Sequence, residues 1–211
     1  ETAMTANHPT FPSLAPDSAS HNAERRHMLL ATGGVACVGT LATALPFVSS
    51  LAPSERARAQ GAAVEARVDD IAPGAIKTVE WRGKPVWILR RTPDMLAALP
   101  SLNDQLADPH SQREQQPAYA QNPARSVKDE LLVVTAICTH LGCSPNMVAA
   151  GASNPSVPAD WQGGFFCPCH GSTFDLAGRV FKNKPAPTNL EIPPHHYLSD
   201  ANVLIGEHPP A

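Results

Sequence analysis

Two short segments decide how this sequence is interpreted: Cys138-Thr139-His140-Leu141-Gly142-Cys143 and Cys167-Pro168-Cys169-His170-Gly171-Ser172. Each segment pairs a cysteine with a nearby histidine and contains one further cysteine. Residues 144–166 separate them, which is enough chain for a loop and a strand that bring the second segment back beside the first. Thiolate and imidazole ligands suit iron–sulfur clusters, zinc and copper. The sequence therefore predicts a metal centre.

A single structural zinc ion is one alternative, because two cysteines with two histidines form a common closed zinc site. The candidate ligands are Cys138, His140, Cys167 and His170. Zinc fingers usually take two ligands of one type from each segment, whereas here each segment supplies one sulfur and one nitrogen. A cluster of two irons, with cysteines on one iron and histidines on the other, needs that mixture. The remaining Cys143 and Cys169 can form a disulfide if they meet within bridging distance.

The two segments resemble the paired cluster-binding loops of Rieske iron–sulfur proteins, specifically those of cytochrome bc-type quinol oxidoreductases. The resemblance implies one [2Fe–2S] cluster with Cys138 and Cys167 on one iron. It places His140 and His170 on the other iron, which faces solvent. It also implies a disulfide between the two remaining cysteines, Cys143 and Cys169. The Rieske ferredoxins of ring-hydroxylating oxygenases share the ligand pattern but lack this extra pair.

Further positions match the family's pattern around the cluster. The resemblance implies that the Ser172 hydroxyl bonds a bridging sulfide, and that Leu141 shields the cluster and contacts the quinone. Gly142 and Gly171 allow tight turns whose N–H groups can point at the sulfurs. Many relatives have Tyr at the position of Phe174, where its hydroxyl bonds the first cysteine ligand. Because Phe174 has no donor, we expect a lower reduction potential.

The segment Lys184-Pro185-Ala186-Pro187 resembles the proline loop that covers the cluster, although Lys184 replaces the usual glycine.

The histidine ligands set the redox chemistry of the cluster. An oxidised cluster with four thiolates carries two negative charges, whereas two neutral imidazoles in place of two thiolates make it neutral. Adding an electron is then easier, and such centres have potentials of about −150 to +300 mV. A quinol can therefore reduce the cluster, and an exposed imidazole ligand can take up the proton.

The N-terminal region has two parts. Residues 1–24 are polar and are predicted to be a flexible tail. Arg25-Arg26 then precede an apolar run, and residues 28–54 contain no Asp, Glu, Lys or Arg. Such a run can cross a hydrocarbon core of about 30 Å, and the arginine pair resembles a twin-arginine export signal. Residues 25–52 are therefore predicted to be a twin-arginine-like signal and a single transmembrane anchor. A cleaved signal peptide is the alternative, since Ala57-Arg58-Ala59 offers a cleavage site.

Residues 53–64 are small and polar and are predicted to be a hinge linker, and residues 65–211 a single domain. The fold class is all-β: a Rieske-like antiparallel sandwich with the two metal loops at its tip. Strands are expected at 76–81 and 85–90, which flank Arg82-Gly83-Lys84 and are predicted to form a hairpin. Further strands are expected at 131–137, 163–166, 179–181 and 202–205, with a helix near 93–99. Residues 103–126 are expected to form an irregular surface excursion. His195 and His196 are expected to lie on the surface.

The function implied is the electron-transfer subunit of a quinol–cytochrome c oxidoreductase. His170, with His140 and Leu141, is expected to meet ubiquinol at the cytochrome b subunit, and the domain then passes the electron to a c-type cytochrome by moving. The expected setting is a dimeric complex in the lipid of a bacterial inner membrane, with the N-terminus cytoplasmic and the domain periplasmic. The alternatives are the Rieske subunit of another exported oxidoreductase, such as arsenite oxidase, and a membrane-tethered zinc module. The lack of a basic tract indicates no nucleic-acid partner, whereas the net charge of −3 decides nothing about partners.

Overall fold

The computed structural model describes residues 18–52, 54 and 61–210, without the side chains of residues 18–21. Most of the predicted tail, residues 1–17, lies outside this range, as do residues 53 and 55–60 of the predicted linker. The chain forms two units, residues 1–54 and 55–211. We describe each by itself.

The N-terminal unit contains one long helix, α1, Ser18–Ser50. Its part Asn22–Ser50 has a mean hydropathy of 1.8 and is long and apolar enough to cross a membrane. The helix begins before residue 25, so the predicted flexible tail is wrong for residues 18–24. Lengthening an existing helix adds one hydrogen bond per residue fixed, which favours this extension. The helix also continues for four residues beyond Pro46.

In the described part of the C-terminal unit, nine short antiparallel strands form three sheets, which confirms the all-β prediction. The strands are β1 Val64–Arg67, β2 Ile76–Trp81, β3 Lys84–Arg90, β4 Leu131–Thr135, β5 Asn146–Val148, β6 Gly164–Phe166, β7 Thr173–Phe174, β8 His195–Tyr197 and β9 Asn202–Ile205. The sheet orders are β1-β9-β8, β2-β3-β4 and β5-β6-β7. The α-helix α2, Pro93–Ala98, and two 3-10 helices, Leu99–Gln105 and Ala118–Ala120, lie between β3 and β4.

The β2–β3 hairpin forms where the sequence predicts it. Arg82 and Gly83 connect the strands with φ angles of 53° and 70°. Two consecutive positive φ angles are typical of the two-residue turn whose twist matches that of paired strands. Trp81 faces Lys84 across the first pair. The hairpin then offers β3 as the template on which β4 pairs.

Strand β4 is buried along its whole length because both of its faces are covered. Leu131 and Val133 belong to a core shared with the β1-β9-β8 sheet. Leu132 and Val134 belong to a second core, which is shared with Phe165 and other residues of the third sheet. Because β4 is packed on both faces, it fixes the starting point of the first metal loop, which begins three residues after Thr135.

Two predictions for the connecting segments are wrong. Residues 179–181 form no strand; they make only the isolated bridges Phe174↔Val180 and Leu106↔Phe181. The excursion 103–126 is not confined to the surface, because Arg125 is fully buried. Its guanidinium donates to the carbonyls of Ala177, Gly178 and Leu190 at 3.1, 3.2 and 2.7 Å. This excursion is therefore packed against the chain that follows the second metal loop.

Candidate metal centre

The two metal loops have the same backbone hydrogen bonds. In the first loop, the N–H of Cys138 donates to the carbonyl of Cys143 at 2.8 Å, and the N–H of Gly142 donates to the carbonyl of Cys138 at 3.0 Å. In the second loop, Cys167 donates to the Ser172 carbonyl at 2.8 Å and Gly171 donates to the Cys167 carbonyl at 3.0 Å. Each cysteine ligand candidate is therefore fixed at both its amide and its carbonyl.

Glycine is required at matching places in these loops. Gly142 and Gly171 have φ angles of 84° and 77°, in the left-handed region that side chains rarely adopt. No atom lies within 4 Å of a Cβ built at either position, so the requirement is conformational and not steric. The reason that the sequence gives for these two residues agrees with their geometry.

The four candidate ligands are arranged with sulfur inside and nitrogen outside. Cys138 and Cys167 are free thiols, each 2% exposed. The rings of His140 and His170 lie 4.7 Å apart at an interplanar angle of 89°. His170 is exposed and His140 is half-buried. A metal centre held by these residues meets solvent through its imidazoles.

Two observations show that these residues fit a [2Fe–2S] cluster. Nδ1 of His140 is buried and has no hydrogen-bond partner among the described residues. A buried ring nitrogen without a partner is unfavourable unless it ligates a metal. Burial also raises the pKa of the Cys138 thiol, so its thiolate form needs a neighbouring cation. Two sulfurs and two imidazoles form the donor set of a Rieske centre.

A disulfide joins the two loops between Cys143 and Cys169, whose Cα atoms lie 6.7 Å apart. These two sulfurs and that of Cys167 lie within 4.8 Å of one another. That group of three is not a thiolate site, because two of its sulfurs are consumed by the bridge. The disulfide instead holds the ligands of the two loops side by side.

The remaining candidate residues surround the ligands. Leu141 is 71% exposed, as expected for an apolar contact residue. Ser172 is buried, and its hydroxyl oxygen accepts a hydrogen bond from the N–H of Ala186 at 3.0 Å. Phe174 is fully buried and belongs to the same core as Cys138 and Cys167. The aromatic ring therefore lies within the apolar wall behind the sulfur ligands.

The burial of His195 was not predicted from the sequence. It is fully buried, so the prediction that it lies on the surface is wrong. Its Nδ1 lies 2.9 Å from the Pro193 carbonyl, to which it donates, and its backbone N–H donates to the Tyr119 hydroxyl. Burial lowers the pKa of His195. The alternating pattern of β8, which turns His195 inward, was the available signal.

Comparison with known families identifies the class of protein. Residues 109–194 match the family model described as "Rieske [2Fe-2S] domain". Residues 15–54 match the model described as "Ubiquitinol-cytochrome C reductase Fe-S subunit TAT signal". The fold and the site are those of a Rieske [2Fe–2S] domain. This domain follows an N-terminal apolar helix in the chain.

Individual relatives identify the family within this class of protein. A protein of Allochromatium vinosum named "Ubiquinol-cytochrome c reductase iron-sulfur subunit" is 56% identical over 183 residues, which cover 87% of this chain and 88% of the relative. A protein of Bradyrhizobium diazoefficiens with the same name is 38% identical over 190 residues, covering 90% of this chain and 97% of that one. This chain belongs to the family of ubiquinol–cytochrome c reductase iron–sulfur subunits.

A solved chain described as "Hyperthermophilic respiratory Complex III" is also similar, at 25% identity and a TM-score of 0.44, covering 82% of this chain and 97% of that chain. Family membership confirms the predicted [2Fe–2S] cofactor and the role as a subunit of an oxidoreductase. The signal-model match and the apolar helix fit a membrane-anchored subunit. The zinc and arsenite oxidase alternatives do not fit this family.

Proposed function

We propose that Cys138, His140, Cys167 and His170 hold the cluster and that the imidazole edge receives an electron and a proton from ubiquinol. The observation that carries this proposal is the perpendicular pair of histidine rings, 4.7 Å apart, above two buried thiols. When bound, the cluster accepts one electron, and its two neutral ligands give it a potential of about −150 to +300 mV.

The chain's own residues supply binding and proton transfer. His170 is exposed, so its imidazole can accept the hydrogen bond of a quinol hydroxyl and hold the proton. Leu141 lies one residue from His140 and is 71% exposed, which offers an apolar contact for the quinone ring. Ser172 and the glycine turns hold the two loops in place from within. Phe174 keeps water from the sulfur side.

The partners follow from the family. Quinol is expected to be met at a cytochrome b subunit, and the electron is expected to leave for a c-type cytochrome subunit after the domain has moved. The domain faces the periplasm and the helix α1 crosses the lipid once, with its N-terminus in the cytoplasm. The complex is expected to be a dimer. The predicted hinge, residues 53–64, can extend only as far as residue 63, because Val64 already pairs with Ile205 in the sheet.

Two variants test the site. His170→Ala removes the proposed proton acceptor and a ligand, so quinol oxidation and the rhombic EPR signal of the reduced cluster should both be lost. Leu141→Ala keeps every ligand, so the signal should remain while the rate of quinol oxidation falls. His110→Ala changes an exposed histidine outside the loops and is the control. Quinol oxidation at the native rate in His170→Ala would contradict the proposal.

Orientation can be tested separately. Protease added to spheroplasts should cleave the domain, whereas it should cleave only after lysis if the domain is cytoplasmic. Copurification with b- and c-type haem from detergent-solubilised membranes tests the partners. An iron–sulfur subunit that purifies quantitatively without either haem under mild conditions would count against them.

A further inference from the structure

Three consecutive residues of the segment 184–188, here called the covering segment, are held by three different parts of the chain. The N–H of Ala186 donates to the Ser172 hydroxyl oxygen of the second metal loop at 3.0 Å. The Thr139 hydroxyl of the first loop donates to the Thr188 carbonyl at 2.7 Å. Between these two, the guanidinium of Arg113 donates to the Pro187 carbonyl.

Ala186 is buried in the same core as Cys138 and Cys167, but the backbone of the covering segment has little other support. Pro185 and Pro187 have no N–H to donate. Among the described residues, no backbone–backbone hydrogen bond involves residues 184–188. Hydrogen bonds from side chains therefore hold this segment in place, as strand pairing holds other segments of the domain. Losing one of three such bonds should loosen the segment measurably.

Arg113 reaches the covering segment from a firmly anchored position. Its backbone N–H donates to the buried carboxylate of Asp108 at 3.1 Å, and its carbonyl accepts from the Gln116 amide at 2.9 Å. Asp108 is tied in turn to Asn189, whose amide donates to the Asp108 carbonyl at 3.0 Å. Asn189 directly follows Thr188. The Arg113 side chain thus closes a ring of contacts between the excursion 103–126 and the covering segment.

We propose that Arg113 and Thr139 are positioning residues that latch the covering segment over the two metal loops, and that the excursion 103–126 exists to carry this latch. Thr139 lies between Cys138 and His140, so the same hydrogen bond also fixes the first loop. The latch controls how readily water and chelators reach the ligands and how readily iron is lost. This inference rests on the ligand assignment of the proposed function.

The direct test is amide hydrogen exchange of the full-length holoprotein in detergent, followed in a peptide that contains Ala186. Arg113→Met and Thr139→Val each remove one hydrogen bond while keeping most of the side-chain volume. A net loss of about 1 kcal/mol corresponds to roughly fivefold faster exchange through local opening. Thr139→Ser restores the hydroxyl and should restore the native rate. Arg82→Met and Thr78→Val, both at exposed residues of the β2–β3 hairpin, are the matched controls.

A second measurement follows loss of the visible absorbance when an iron chelator is added without oxygen. Arg113→Met and Thr139→Val should lose iron faster in proportion to their exchange rates, and Thr139→Ser and the two controls should not. Arg113 is exposed, so its variant should fold even if Thr139→Val does not take up iron. Native exchange and native iron loss in Arg113→Met would overturn the latch. Normal latch behaviour with no quinol oxidation would instead refute the proposed function.

Discussion

The carboxylate of Asp175 lies 2.7 Å from the guanidinium of Arg179, and both side chains are buried, at 0% and 1% exposure. The same carboxylate accepts hydrogen bonds from the N–H groups of Ala177 and Arg179 at 2.9 and 2.7 Å. This ion pair follows β7 directly and so lies just after the second metal loop. Its hydrogen bonds close the turn through which the chain leaves the site.

Replacing Asp175 should strongly destabilise the domain. Asp175→Asn removes the charge that compensates the buried Arg179, and breaking one partner of a buried pair costs about 3–5 kcal/mol. The free energy of unfolding in denaturant measures this loss. Asp69→Asn is the control, since its partner Arg67 is well exposed, and it should leave stability unchanged. Equal stabilities of the two variants would refute the assignment.

His195 should make the domain less stable as the pH falls. Burial lowers its folded-state pKa below the ordinary value of 6.5. As the pH falls below about 6.5, the unfolded chain binds a proton that the folded chain refuses, so stability drops by up to about 1.4 kcal/mol per pH unit until the folded pKa is reached. The rings facing His195 are those of Tyr119 and Tyr197, and the neighbouring His196 adds a like charge when protonated.

Unfolding free energies at pH 7 and pH 5 measure this effect. His195→Asn keeps a donor for the Pro193 carbonyl and should reduce the difference between the two values. His196→Asn changes the adjacent, half-buried histidine and should retain most of the difference. An unaltered pH dependence in His195→Asn would assign the effect to another group.

Phe174→Tyr should raise the reduction potential. A hydroxyl donor to the sulfur of Cys138 favours the reduced state by about 1 kcal/mol, which is about 40 mV for one electron. A redox titration followed by EPR measures the potential. Phe181→Tyr is the control, because that ring packs on Trp161 away from the ligand cysteines. A potential that stays the same in Phe174→Tyr would show that the missing hydroxyl does not set it.

Gly164→Ala should destabilise the strand that leads into the second metal loop. A Cβ at Gly164 lies 2.1 Å from the Phe174 carbonyl oxygen and 2.9 Å from the Trp161 ring, so backbone must shift. Such overpacking costs about 1–3 kcal/mol or more. Thermal unfolding and iron content together measure the effect. Gly83→Ala is the comparison: it has a φ of 70° but open space around it, so it reports conformational strain without a clash.

Local features of this protein were predictable from the sequence. The metal loops were found because their ligands lie within a few residues of each other, and the hairpin because Arg82-Gly83 is a local turn signal. The role of Arg125 was not predictable. Its acceptors lie 52, 53 and 65 residues further along the chain, so nothing near Arg125 indicates burial. Its charge alone suggested the surface.

A long sequence separation between contacting residues also explains the other wrong predictions. His195 is buried by its strand neighbours and by Tyr119, which lies 76 residues earlier. The bond from Thr139 to Thr188 spans 49 residues, so the position of Thr139 within a recognised motif gave no hint of it. Residues 179–181 are apolar enough for a strand, but the guanidinium of Arg179 turns inward and donates to the carbonyl of Leu99, 80 residues earlier, and the chain remains a loop. Long-range partners of polar side chains were the missing information.

The ligands are arranged with sulfur inside and nitrogen outside, and this arrangement determines how redox partners can reach the centre. The cysteines are closed off by the protein, so the histidine edge is the open approach to the centre. An electron donor and an electron acceptor that both bind this edge must bind it alternately. Under the proposed function, the domain would carry electrons between its two partners one at a time, and electrons could not pass directly from one partner to the other.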